Sequence, residues 1–81
     1  MHIILKDTVK ANEKVQQLVE LYPFARVQRL PSCTIVETAK VVCCVVQFIE
    51  KRVKVWRSDV EHSEKSPIYL HFQDLVSVQD L

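Results

Sequence analysis

The sequence predicts an α/β domain with element order β-α-β-α-β-β, a four-stranded mixed sheet with two helices packed on one face. Three observations predict it. Ala11, Val15, Leu18, Val19 and Tyr22 recur at helical spacing and are stopped by Pro23. Thr34-Ile35-Val36-Glu37 matches a capping box, and Ile35, Ala39, Val42, Cys43, Val46 and Ile49 follow on one helical face. Apolar and polar residues alternate through 53–57 and again through 68–73, which is the period of half-buried strands.

Taken in order, Ile3, Ile4 and Leu5 form an apolar run suited to a buried first strand over 2–6. Asp7-Thr8 supplies a capping signal for a first helix over 9–22. Ala25 and Val27 alternate with Arg26 and Gln28 in a second strand that Pro31 closes. A second helix is expected over 34–51, with length and the capping box outweighing its many β-branched valines. Its other side carries Val41, Cys44, Val45 and Phe48, an apolar strip available to another subunit. Val53 and Val55 alternate with Lys54 and Trp56 in a third strand, and residues 62–67 form a polar hairpin loop. In the last strand Ile68, Leu70 and Phe72 point one way and Tyr69, His71 and Gln73 the other. Leu75, Val76 and Val78 extend that strand or dock as a tail.

With 81 residues, the chain is expected to form a single domain over 1–81, whose thin stability margin an assembly would help. Its apolar runs are too short for a signal peptide or a membrane span, so a cytoplasmic or nuclear location is expected. The odd set Cys33, Cys43 and Cys44 fits neither a disulfide framework nor a zinc site, and reduced thiols are expected. There is no glycine, which removes every glycine-rich phosphate loop and forces any turn with positive φ onto a residue that bears a Cβ. No cofactor or metal is expected. Cys33 with His62 or His71 is the one nucleophile–base pairing available, and nothing in the sequence brings those residues together, so catalysis is not expected.

Charge is unevenly placed. The net value is +1, yet residues 26–57 sum to +5 and residues 58–81 to −4. A basic middle attracts phosphates if its cations cluster in space. Lys6, Lys10, Arg29 and Lys40 sit at strand ends and helix starts, where side chains and free amide groups meet an anion together. Arg26, Arg52, Lys54 and Arg57 extend the set, although Lys54 falls on the strand face opposite Arg57. Trp56, Tyr69 and His71 share a face, either as a platform for stacked bases or as interface packing.

Three segments carry a resemblance. Arg29-Leu30-Pro31-Ser32-Cys33-Thr34-Ile35 followed by Ala39 and Val42, then Val55-Trp56-Arg57-Ser58-Asp59-Val60-Glu61, then Ser66-Pro67-Ile68-Tyr69-Leu70 are together similar to the Alba family of small chromatin and RNA-binding proteins. The resemblance implies a non-catalytic DNA- or RNA-binding dimer of chromatin or ribonucleoprotein type. The partner would be a second copy or a related Alba-type subunit, as in the ribonuclease P and MRP particles. Lys6, Lys10, Arg26, Arg29, Lys40 and Arg57 would then meet nucleic acid, with Val41, Cys44, Val45, Phe48 and Trp56 at the dimer interface. The family's long basic hairpin is replaced here by a short acidic one bearing Glu61 and Glu64. That replacement suits a weaker or RNA-specialised binder, or an assembly subunit with few nucleic-acid contacts.

Overall fold

The computed structural model describes residues 1–38 and 44–79. Strand β1 (His2–Lys6) and helix α1 (Val9–Leu21) lie where the periodicity puts them. The Thr8 hydroxyl caps α1 by accepting from the Ala11 amide at 3.0 Å, and it donates to Asp74 at 3.3 Å. Tyr22 closes the helix through its own amide, which donates to the Leu18 carbonyl at 2.8 Å, just before Pro23.

The rest of the chain overturns the expected β-α-β-α-β-β order. After β2 (Arg26–Arg29), the segment expected to be the second helix contains two strands, β3 (Cys33–Glu37) and β4 (Cys44–Ile49). Nine of the sixteen residues from Thr34 to Ile49 are β-branched. Such side chains lose χ1 freedom in a helix and pack well on a pleated surface. The apparent capping box dissolves accordingly: Thr34 is a buried strand residue, and Glu37 lies opposite His2 across the ladder. β5 (Arg52–Arg57) follows, then a five-residue helix α2 (Glu61–Lys65) inside the expected hairpin loop. β6 (Ile68–His71) ends in a single 3-10 turn, and β7 (Leu75–Gln79) is a separate strand that pairs with β1.

The strands form two sheets, one of four in the order β2-β3-β1-β7 and one of three in the order β4-β5-β6. Every pairing among the described residues is antiparallel, so the parallel crossovers expected from βαβ units do not occur. Helix α1 packs against β1, β3 and β6 and so bridges the two sheets. One core results. Ile3 and Leu5, Val36, Val53 and Val55, and Leu70 meet Ala11, Val15, Leu18 and Tyr22 with almost no exposure.

A chain without glycine must place a bulkier residue in its tightest turn. Ile49 pairs with Arg52, so Glu50 and Lys51 alone join β4 to β5. Glu50 has φ of 52°, and it is the only positive φ among the described residues. The left-handed region costs an L-residue about 1–2 kcal/mol, of which glycine's extra unfolded freedom returns about half. Glu50→Gly is therefore expected to raise stability by about 0.5–1 kcal/mol, read as a higher midpoint in urea unfolding.

Candidate nucleic-acid interface

The residues expected to contact nucleic acid are divided among separate parts of the fold. Lys6 ends β1 and pairs with Cys33, while Arg29 ends β2 and pairs with Thr34, so both lie at one end of the four-stranded sheet. Lys10, in the first turn of α1, belongs to that same end. The three do not form one face. Successive residues of a strand point to opposite sides, so Lys6 projects away from α1, whereas Arg29 reaches back to it and donates to Asn12 Oδ1 at 2.9 Å. Arg26 sits at the other end of β2, opposite Glu37. Lys40 lies outside the described residues.

Arg57 is a structural clamp. Its Nε and Nη2 donate to the two carboxylate oxygens of Asp59 at 2.9 and 2.7 Å, and its Nη1 donates to the Leu21 carbonyl at 2.9 Å. These charge-assisted bonds hold the Asp59 carboxyl below its ordinary range. The guanidinium also stands 5.9 Å from the centre of the Tyr22 ring. The Arg57 amide donates to the Ser63 hydroxyl at 2.6 Å, which ties α2 to the end of β5.

The expected dimer strip is likewise divided, because a strand sorts residues by two and not by three or four. Cys44 and Phe48 lie opposite Arg57 and Val53 on the core side of β4, whereas Val45 lies opposite Trp56 on the outer side. The Cys44 thiol donates to Met1 Sδ at 3.6 Å. Phe48 is 63 % exposed. Val41 lies outside the described residues.

The three-stranded sheet brings a different set together. Val53, Val55, Ile68 and Leu70 are buried on its inner face, so the residues between them must face outward. Register places Lys54 directly between Gln47 and Tyr69, Arg52 between Ile49 and His71, and Trp56 opposite Val45. The Arg52 guanidinium lies 4.3 Å from the centre of the Tyr69 ring, and the Lys54 ammonium lies 4.8 Å from that of Trp56. Both aromatic rings are half-buried, each with one cation against it. No carboxylate stands on this outer face among the described strand residues. A cleft of about 440 Å³ lined by Lys51, His71, Phe72 and Gln73 adjoins its lower edge.

Alternation along β5 and β6 was the signal that could have found this group. It already separates Lys54 from Arg57 and puts Trp56, Tyr69 and His71 on one side. The same alternation puts Arg52 and Lys54 on the side of Trp56, and what only the structure adds is the register of β5 against β6 that brings Arg52 over Tyr69.

No protein-family model, no curated protein and no solved structure matches the chain. Among the described residues no helix is long and apolar enough to cross a membrane. None of their His, Cys, Asp and Glu side chains forms a group of three able to hold a metal ion.

Proposed function

We propose that this protein binds single-stranded nucleic acid on the outer face of the β4-β5-β6 sheet, without strict sequence reading. The observation that supports it is the pairing of two half-buried aromatic rings, Trp56 and Tyr69, with two cations, Arg52 and Lys54, on a sheet face whose described strand residues include no carboxylate. Every base has a π-face, so aromatic side chains can stack bases of any sequence. Cations beside the rings meet the phosphates that link those bases. A single strand is favoured over a duplex because its bases are free to splay onto a flat sheet.

In this reading Trp56 and Tyr69 are the stacking residues and Arg52 and Lys54 the phosphate contacts. His71 and the cleft beside Lys51 extend the path of the strand at one end. The six cations singled out from the sequence supply background attraction at most, with Arg57 committed to Asp59 and the Leu21 carbonyl.

Trp56 is the only tryptophan, so its emission reports on the site directly. Titration with a single-stranded oligonucleotide is expected to quench that emission, and the affinity should fall as salt rises. Each phosphate contact contributes a slope of about −0.7 to log K against log salt, so Arg52→Gln with Lys54→Gln should flatten the slope by roughly 1.4. An unchanged emission spectrum at low salt would exclude the proposal, as would a slope indifferent to the double substitution.

A further inference from the structure

Positive charge on the outer face of β4-β5-β6 is graded along β5. At the Trp56 end the strand runs on into Asp59 and the first turn of α2, which carries Glu61 and Glu64. Toward the other end Lys54 is followed by Arg52, then by His71 opposite Arg52 and Lys51 in the turn. There the face opens into the cleft of about 440 Å³ lined by Lys51, His71, Phe72 and Gln73. Pockets of about 300–1,000 Å³ are the size that holds a small ligand. A backbone bond fixes the two sides of the cleft together, the Phe72 amide donating to the Lys51 carbonyl at 3.0 Å. None of the described residues that line it is acidic. Glu50, beside Lys51 in the turn, is not among them, and Asp74, two residues after Phe72, is buried and accepts from the Thr8 hydroxyl. The cleft therefore offers an ammonium, an imidazole N–H and a carboxamide as donors, next to a phenyl ring that is 43 % exposed.

We propose that this cleft takes a terminal phosphomonoester of the bound strand, so that the protein favours single-stranded ends that carry a phosphate. The inference rests on the stacking reading of the outer face. A phosphodiester within a strand carries one negative charge, whereas a terminal monoester carries about −1.5 to −2 at pH 7 and has three free oxygens to accept hydrogen bonds. The most negative group of the strand is therefore held best where cations gather and the described lining residues include no carboxylate. Trp56 and Tyr69 lie on a diagonal from β5 to β6, and His71, two residues after Tyr69 on the same side of β6, is the next position along the face. A strand stacked on the two rings thus arrives at the cleft. Phe72 gives the terminal sugar an apolar wall, and Lys51, His71 and Gln73 donate to the phosphate oxygens.

The test is titration of the full chain, followed by Trp56 emission, with a short oligothymidylate bearing a 5′-phosphate, a 3′-phosphate or hydroxyls at both ends. A hydroxyl-ended oligonucleotide one residue longer carries the same additional phosphate as a diester and so controls for charge alone. A phosphate at one end or the other is expected to tighten binding at least about tenfold over both hydroxyl-ended probes, and the end that responds gives the polarity of the strand on the sheet. Lys51→Gln with His71→Gln should bring that ratio close to one with an unchanged circular dichroism spectrum, both positions being exposed. Trp56→Ala, read by anisotropy, should weaken binding of phosphorylated and hydroxyl-ended probes alike and keep the ratio. Quenching of equal affinity by all four probes would overturn the terminal-phosphate site and leave the stacking face standing, as would a ratio that survives the double substitution. No quenching by any probe at low salt would overturn both.

Discussion

Replacing Tyr22 by alanine is expected to cost about 3–5 kcal/mol, enough to leave a domain of this size largely unfolded. The ring is 1 % exposed and sits where the end of α1 meets both the core and β5. Its hydroxyl donates to the Trp56 carbonyl at 2.9 Å, and its backbone carbonyl accepts from the Ala25 amide at 2.9 Å in the turn toward β2. Alanine would leave a ring-sized cavity and an unpaired carbonyl together. Tyr22→Phe separates the two effects. It keeps the packing and removes only the hydrogen bond, so a cost of about 1–2 kcal/mol is expected in urea unfolding. Equal losses for the two variants would show that the ring contributes nothing through packing.

The same residue gives stability an alkaline limit. Burial pushes the Tyr22 hydroxyl well above its ordinary value near 10, and the neighbouring Cys44 thiol adds to the shift. Below pH 10 the phenol is protonated in both folded and unfolded chains, and its contribution is fully present. Above that pH the unfolded chain ionises while the folded one holds its proton. Stability then falls by at most about 1.4 kcal/mol per pH unit from this group. Tyr22→Phe should remove that part of the alkaline slope, and the wild-type minus variant difference between pH 9 and 11 measures it.

How much of this arrangement was legible in the sequence depends on which signals compete. β1 and α1 were legible because nothing opposes them: the capping threonine, the helical stripe and Pro23 all agree. The stretch from Thr34 to Glu37 was not, because a capping box and a β-branched run occupy the same four residues. Only the sheet decides between them: β3 gains a ladder on both sides, from β1 and from β2, and a helix there would leave β2 without a partner and β1 with β7 alone. β7 was open for a different reason. Its pairing with β1 joins residues seventy or more positions apart, which local periodicity does not report. The site followed the fold. Alternation put Trp56 and Tyr69 on one face, but grouping Arg57 with the contact cations required ignoring Asp59 two residues away, whose carboxylate takes its guanidinium in a bidentate grip.

Trp56→Ala and Tyr69→Ala are each expected to weaken single-stranded nucleic-acid binding by about 1–3 kcal/mol, roughly 5- to 150-fold, with little change in stability. Both rings project from the outer face, so their removal opens no cavity in the core formed by Val53, Val55 and Leu70. The cost falls on the complex, where each lost ring removes one stacking surface. Anisotropy of a labelled oligonucleotide reads both variants, and Tyr69→Ala can also be followed by Trp56 emission. Stacking is insensitive to salt, whereas phosphate contact is not. The aromatic variants should therefore lower affinity at every salt concentration and keep the slope, while the Arg52 and Lys54 variants change the slope itself. Arg29→Gln, at the far end of the other sheet, should leave affinity within about twofold. If Arg29→Gln instead matched Trp56→Ala, the contact surface would lie at the Lys6, Lys10 and Arg29 end of the four-stranded sheet. The cations held there would then outweigh two aromatic rings, and the outer face of β4-β5-β6 would have no part in binding.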